Sequence, residues 1–201
     1  MNEVNVNIDK YQGLIFDMDG TLIDTMPSHL DAWHQTAQHF HFPYDRKWMN
    51  SLGGMPSPKI TLEVNKKYGL DLDAMEVSSF KMARFAEIAD KGQPIKLTVD
   101  LVKQWSGKKP MSVGTGSQRA SALSLLEDNQ LLEYFETVVS ATEVKNHKPN
   151  PDTFLLAARA MGLDATHCVV FEDTELGKQA AHAAGMDCIM VEESGLRLYP
   201  V

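Results

Sequence analysis

Short apolar runs alternate with longer amphipathic segments along most of the chain. The first run, Leu14 to Phe16, is typical of a buried strand. Later strands are predicted over Met111 to Gly114, Thr137 to Ser140, Cys168 to Phe171 and Cys188 to Val191. Because a helical pattern precedes or separates these later strands, the sequence predicts right-handed crossovers and a mostly parallel sheet.

One stretch, residues 27–90, carries only helical patterns and follows the first strand directly. Its first helix opens at Pro27 and presents an apolar face made of Leu30, Trp33, Ala37 and Phe40. Further helices are predicted over residues 47–52, 59–68 and 74–90. The buried stripe of the last helix is predicted to be Met82, Phe85, Ala86 and Ala89.

The predicted fold class is α/β, with a doubly wound parallel sheet and a helical cap inserted after the first strand. The expected division is a catalytic core of residues 10–25 and 93–201 and a cap of residues 26–92. The sequence shows no internal repeat and no low-complexity segment.

Two carboxylates, Asp17 and Asp19, stand immediately after the first predicted strand. In open α/β sheets this end of a strand is where ligands bind, and Gly20 allows a sharp turn there. A carboxylate so placed is able to hold Mg2+ or to attack phosphorus. A hydrogen-bonded turn is an equally simple interpretation. A calcium loop is disfavoured because Thr21 and Leu22 occupy positions that require an oxygen ligand and a glycine.

Three later strand ends also carry polar groups. The segment Gly114–Ser117 exposes backbone N–H groups at the start of a helix, where anions are attracted, but Arg119 breaks the dinucleotide-binding glycine pattern. Lys148 follows the third strand, and Glu172 and Asp173 follow the fourth. Taken singly, a solvated lysine and a helix cap explain these residues. Their convergence on one edge of the sheet favours phosphoryl chemistry.

The four segments together resemble the ordered motifs of the haloacid dehalogenase superfamily. They are Asp17-Met18-Asp19-Gly20-Thr21, Thr115, Lys148-Pro149 and Glu172-Asp173. Asp24-Thr25, His29 and Ala32-Trp33 resemble the β-phosphoglucomutase-like branch. Within that branch the chain most resembles the small fructose-1-phosphate phosphatase type, through Val113 to Ser117, His147 to Pro149 and Asp152 to Leu156.

The resemblance implies a Mg2+-dependent phosphatase that hydrolyses small sugar monophosphates through an aspartyl-phosphate. Asp17 is then the nucleophile and a metal ligand, while Asp19 gives its carbonyl to Mg2+ and acts as acid and base. Thr115 and Lys148 hold the phosphoryl group. The implied metal ligands are Asp17, Asp19, Glu172 and Asp173. The implied substrate contacts, besides Thr115 and Lys148, are Thr25, His29, Gly54, Ser57, Lys59, Gly116 and Ser117, with Trp33 and Lys81 as further cap candidates.

The cap loop departs from the mutase pattern. Between Gly54 and Lys59 it lacks the arginine with which a mutase holds a second phosphate, and Lys59 is the available substitute. The missing arginine favours hydrolysis. A β-phosphoglucomutase-type isomerase and a non-catalytic metabolite-binding module stay open as alternatives.

Length, charge and composition limit the kinds of partner that we expect for this chain. The 201 residues suit one sizeable domain or a core with a smaller insert, and the net charge of -8 argues against a nucleic-acid surface. Cys168 and Cys188 lie in apolar runs and are expected to be buried hydrophobes. No apolar run reaches membrane-spanning length, and Met1–Lys10 is unlike a secretory signal. We therefore expect a cytoplasmic monomer or weak dimer with no membrane partner.

Overall fold

The computed structural model describes residues 6–201, so the prediction about Met1–Lys10 falls partly outside the described residues. The described strands are β1 (Gly13–Phe16), β2 (Met111–Gly114), β3 (Thr137–Val139), β4 (Cys168–Glu172), β5 (Asp187–Glu192) and β6 (Gly195–Tyr199). They form one sheet in the order β3-β2-β1-β4-β5-β6. Strands β1 to β5 are parallel, and β6 pairs antiparallel with β5. The predicted α/β class and mostly parallel sheet are confirmed.

Strand β1 lies in the middle of the sheet. Leu14 pairs in register with Met111 of β2 and with Val169 of β4. The C-terminal ends of β1, β2 and β4 therefore lie side by side. This register explains why polar segments far apart in sequence meet at one edge.

Four helices lie between β1 and the next strand: α1 (Met26–His39), α2 (Arg46–Ser51), α3 (Ser57–Tyr68) and α4 (Ala74–Glu87). The helices that follow are α5 (Lys96–Trp105), α6 (Arg119–Asp128), α7 (Asp152–Ala160) and α8 (Glu175–Ala183). Within residues 6–201, no helix is both long enough and apolar enough to cross a membrane. We call α1 to α4 the cap helices.

The chain enters and leaves the cap helices through two segments that lie side by side. The N–H of Asp24 donates to the carbonyl of Gln93 at 2.9 Å, and the N–H of Ile95 donates to the carbonyl of Leu22 at 2.8 Å. Gly92 has a φ of 141°, and a Cβ there would lie 2.2 Å from the Asp24 carbonyl oxygen. The entry to the cap is thus fixed a few residues beyond Asp19.

Each face of the sheet has its own hydrophobic core, and the cap helices have a third. In β1, Phe16 packs on one face, where its ring stacks on Phe171 with centroids 4.5 Å apart, and Ile15 packs on the other. Burial on both faces explains why the strand is continuously apolar. The third core includes Leu30, Trp33 and Val64 and holds the cap helices together.

One detail of the sequence interpretation was wrong. The last cap helix ends at Glu87, so Ala89 lies beyond it, and both Ala86 and Ala89 are exposed. The buried residues of α4 are Val77, Ser78, Lys81 and the predicted Phe85. A buried lysine disguises this stripe, because lysine in a helix usually marks the solvent side. The tail after Glu192, whose order the sequence left open, forms β6 behind a two-residue turn. Cys168 and Cys188 are buried and free, as predicted.

Candidate active site

A cavity of about 70 Å³ lies between the C-terminal edge of the sheet and the cap helices. The sheet side contributes Asp17, Asp19, Thr115, Gly116, Ser117 and Gln118. The cap side contributes His29, Gly54, Ser57 and Lys81 together with Met26, Leu30, Trp33, Met49, Gly53, Met55, Pro58, Ile60, Ser78 and Met82. Most of the residues expected to meet substrate therefore share one cavity.

Three carboxylates and one ammonium group form the floor beside this cavity. Oxygen atoms of Asp17, Glu172 and Asp173 lie within 4.8 Å of one another. The ammonium group of Lys148 donates to Asp17 Oδ1 and to Glu172 Oε1, both at 2.6 Å. Lys148 is only 1% exposed, so its charge acts in a dry environment.

Glu172 is held more firmly than its neighbours. Its Oε2 accepts hydrogen bonds from the N–H of Asp173 at 2.9 Å and from the N–H and hydroxyl of Thr174 at 2.7 and 2.8 Å. A Cβ on Gly177 would lie 1.9 Å from this carboxylate, so α8 can pack here only with glycine. Glu172 thus anchors Lys148 to the start of α8.

The electrostatics of the floor follow from burial and crowding. Burial raises the pKa of Asp17 well above its usual range, and the charges of Glu172 and Asp173 act in the same direction. Burial, followed by the charge of Glu172, raises the pKa of Asp173 to about 7. Burial opposes the charge on Lys148, but the charges of Asp17 and Glu172 raise its pKa above the ordinary value. The floor therefore holds three crowded carboxyl groups against one ammonium group.

This donor set fits a divalent cation with hard oxygen ligands, such as Mg2+. Three carboxyl groups converge on a single lysine. A second positive charge would oppose both the burial and the mutual repulsion that raise the pKa of Asp17 and Asp173. Asp173 is oriented by the hydroxyl of Thr21, which donates to Asp173 Oδ1 at 3.0 Å. Gly20 makes room for it, because a Cβ there would lie 2.3 Å from Asp173 Oδ2.

Asp19 lies in a separate set of donors. Its Oδ1 accepts from the Thr25 hydroxyl at 2.6 Å, and its Oδ2 accepts from the hydroxyls of Ser117 at 2.7 Å and Thr115 at 3.3 Å. Burial alone would raise the pKa of Asp19, but the hydrogen bond and charge of His29, with bonds from Thr25 and Ser117, hold that pKa well below its usual range. Asp19 is therefore ionised in this structure.

His29 connects Asp19 to the cap. Its Nε2 lies 3.2 Å from Asp19 Oδ1, its Nδ1 lies 2.7 Å from the ammonium nitrogen of Lys81, and its ring stacks on Phe85 with centroids 4.0 Å apart. Burial, and then the charge of Lys81, lower the pKa of His29. Burial lowers the pKa of Lys81 to about 8. His29 is thus charged only in acid, and near neutral pH it is a neutral imidazole between a cation and an anion.

The cap loop touches the sheet side at Gly54. A Cβ on Gly116 would lie 2.4 Å from the Gly54 carbonyl oxygen, and a Cβ on Gly54 would lie 3.2 Å from the Thr174 hydroxyl. Lys59 does not line the cavity. Its charge instead contributes, after burial, to lowering the pKa of His147.

Sequence reasoning placed the motif residues but missed several neighbours. Thr21 belongs to the quoted motif but had no assigned role, and it orients Asp173. Thr174 caps α8, and its hydroxyl donates to Glu172. A threonine directly before the first residue of a predicted helix is the sequence signal for such a cap. Ser78 carried no signal, because a serine beside another serine inside a helix resembles a surface residue.

Residues 14–191 match the family model of haloacid dehalogenase-like hydrolases. Together with the α/β fold and the strand-end site, this match shows that the chain belongs to that family. It is 47% identical to fructose-1-phosphate phosphatase YqaB of Escherichia coli (strain K12), over 91% of this chain and 97% of the relative. It is 29% identical to a phosphorylated carbohydrates phosphatase of Thermotoga maritima, over 89% of this chain and 83% of the relative.

Solved structures agree at the level of the fold. A putative β-phosphoglucomutase of Bacteroides vulgatus superposes with a TM-score of 0.78 at 27% identity, covering 89% of this chain and 74% of that one. The β-phosphoglucomutase of Clostridium difficile superposes with a TM-score of 0.80 at 24% identity, covering 91% and 85%. The order of helices and strands is therefore shared with β-phosphoglucomutase-like proteins.

Proposed function

We propose that this protein is a Mg2+-dependent phosphatase that hydrolyses a small sugar monophosphate of the fructose-1-phosphate type. The observation that carries the proposal is the meeting of Asp17, Asp19, Thr115 and Lys148 at one end of the sheet, under the cap. The similarity to fructose-1-phosphate phosphatase YqaB supports the sugar phosphate class.

In this proposal Asp17 attacks the phosphorus atom, and the bond between phosphorus and the sugar oxygen breaks. The products of this step are an aspartyl-phosphate and the free sugar. Lys148 holds Asp17 in position at 2.6 Å and neutralises phosphoryl oxygens together with Thr115. Asp17, Asp173 and the Asp19 carbonyl would hold Mg2+, with Glu172 beside them. When bound, the cation reduces the repulsion between the nucleophile and the anionic ester.

Asp19 handles the proton in both steps. It is ionised in this structure, which is the form that accepts a proton from the water attacking the aspartyl-phosphate. To act as an acid toward the departing sugar oxygen it must first gain a proton. The negative charge of an entering phosphate favours that gain, because a like charge raises the pKa of a carboxylic acid.

The cap is proposed as a unit of residues 26–92 on a core of residues 10–25 and 93–201. Among the described residues that line the cavity, Lys81 is the one lysine or arginine, and its ammonium group is already bonded to His29. No further cation is thus available there for a second phosphate. This favours hydrolysis of a monophosphate over a mutase, which must hold a bisphosphate between core and cap.

A panel of phosphorylated metabolites tests the proposal, with fructose-1-phosphate, fructose-6-phosphate, glucose phosphates and 2-deoxyglucose-6-phosphate. We expect Mg2+-dependent phosphate release from at least one member, abolished by EDTA. Asp17→Asn should lower the rate by about a thousandfold or more while the protein stays folded. Wild-type rates in Asp17→Asn would refute the nucleophile, and isomerisation primed by a sugar bisphosphate would show the mutase instead.

A further inference from the structure

One face of α4 points into the cavity and carries a residue that the chemistry above does not use. Ser78, Lys81 and Met82 all line the cavity, and they stand at the three- and four-residue spacing that places helical side chains on one face. Ser78 is 8% exposed. It is therefore a largely buried residue on the cap side of the site, with its hydroxyl at the cavity.

The hydroxyl of Ser78 differs from comparable hydroxyls in the cap helices. Thr36 donates to the carbonyl of Ala32 at 2.7 Å, and Thr61 donates to the carbonyl of Ser57 at 3.1 Å. Such bonds to the preceding turn are the usual way for a helical hydroxyl to be satisfied. Within residues 6–201, Ser78 Oγ has no hydrogen-bond partner of this or any other kind. A hydroxyl that lines a cavity without a protein partner is available to a ligand.

The rest of the cap wall offers little to a sugar hydroxyl. Leu30, Met49, Ile60 and Met82 present apolar or thioether surface. His29 and Lys81 bond each other. The hydroxyl of Ser57 faces the Met82 sulfur at 3.9 Å. Ser78 is thus a polar group on a largely apolar wall, where one hydrogen bond can discriminate strongly between ligands.

We propose that Ser78 is a specificity-determining residue that hydrogen-bonds a hydroxyl of the substrate's sugar. The inference rests on the proposed phosphatase function. In the proposed function the phosphate binds on the sheet side, beside Asp17 and Thr115. The sugar then extends toward the cap, where a group on α4 contacts it. Ser78 takes no part in the reaction itself.

The test compares Ser78→Ala with Ser79→Ala, its exposed neighbour on the same helix, which lies outside the cavity lining. Each protein is assayed on the preferred sugar monophosphate and on p-nitrophenyl phosphate, which has no hydroxyl on its leaving group. We expect the ratio of the two kcat/KM values to fall about fivefold in Ser78→Ala, through KM more than kcat. In Ser79→Ala the ratio should equal that of the wild type.

Deoxy analogues of the sugar phosphate then identify the hydroxyl, because Ser78→Ala should cost nothing extra on the analogue that lacks it. Equal losses on both substrates would mean a structural role and overturn the inference. An unchanged ratio in an active enzyme would do the same while leaving the phosphatase standing. If the wild type releases phosphate from no sugar phosphate, the proposed function itself fails and the inference goes with it.

Discussion

The ammonium nitrogen of Lys81 lies 2.7 Å from Nδ1 of His29, although the two residues are 52 positions apart. An ammonium group can only donate, so Nδ1 must accept, and the proton of the neutral ring must sit on Nε2. Nε2 then donates to Asp19 Oδ1 at 3.2 Å. Lys81 therefore selects the tautomer of His29 that supports the carboxylate of Asp19.

Replacing Lys81 with methionine keeps the volume of the side chain and removes this donor. We expect Lys81→Met to lower kcat by about tenfold, because Asp19 loses its fixed partner. Since the pKa of Lys81 is about 8, wild-type activity should decline as pH rises through that value. In Lys81→Met this decline should be absent. Rate profiles from pH 6 to 10 provide the measurement, with Lys66→Met, at an exposed cap lysine, as the control. Identical profiles for the wild type and Lys81→Met would contradict the role of the ammonium group.

Lys81 should also make the free energy of unfolding depend on pH, and Lys81→Met should lack this dependence. Its pKa falls from 10.5 in the unfolded chain to about 8 in the fold, so between these values the unfolded chain binds more protons. The free energy of unfolding should therefore gain a contribution as pH rises from about 8 to 10.5. Urea unfolding at pH 7.5 and 10 should show this contribution in the wild type and in Lys66→Met but not in Lys81→Met. A variant with the wild-type slope would mean that Lys81 is not buried as a cation.

Asp173 links metal binding to pH. Its pKa of about 7 lies above its ordinary value, so without metal the folded state holds a proton that the unfolded chain has lost, and stability falls as pH rises from about 4 to 7. A cation must displace that proton. We expect added Mg2+ to raise Tm more at pH 8 than at pH 6, and EDTA to reverse the gain. Asp173→Asn should lose this Mg2+ response, and Asp71→Asn, at an exposed cap position, should keep it. An equal Mg2+ shift at both pH values would argue against Asp173 as a ligand.

The sheet and the convergence of its strand ends were predictable because both depend on local rules. Strand β1 and the first four residues of β4 are buried and form unbroken apolar runs, so the polar residues that follow each run mark the ligand-binding edge. Asp17, Asp19, Glu172 and Asp173 were selected for this reason.

The contribution of the cap depends on packing between distant segments and was harder to predict. Lys81 was predicted as a cap candidate for substrate contact, but its burial beside His29 depends on the packing of α4 on α1. Lys59 has the right charge and lies in the expected segment, yet it stands in the first turn of α3 and does not line the cavity. Sequence spacing along the cap loop does not reveal which way each side chain points.

Glu172 should contribute more to the stability of the fold than Glu175, an exposed acid nearby. It accepts four hydrogen bonds, from Lys148, from Asp173 and twice from Thr174, and it is fully buried. A glutamine at this position would turn its NH2 group toward N–H, hydroxyl or ammonium groups that also donate. Lys148 would then keep only one carboxylate partner, Asp17. We expect Glu172→Gln to destabilise the fold by about 3 kcal/mol and to lower activity. Glu175→Gln, at a side chain 62% exposed, should change stability little. Chemical denaturation of both variants measures their unfolding free energies. Equal losses in the two variants would contradict the anchoring role of Glu172.

Closure of the cap loop depends on the absence of a side chain at Gly116. An added Cβ would lie 2.4 Å from the carbonyl oxygen of Gly54, a backbone atom, so the loop must move away. We expect Gly116→Ala to lower kcat/KM by at least about tenfold, because a displaced loop misplaces the groups above the phosphate, while the unfolding free energy changes by less than about 1 kcal/mol. Gly53→Ala is the matched control, since its Cβ would meet its nearest neighbour, the Asn50 carbonyl oxygen, at 3.2 Å and needs only a small adjustment. Hydrogen exchange should rise at residues 53–58 in Gly116→Ala alone. Wild-type kinetics in that variant would show that the loop contact is dispensable for turnover.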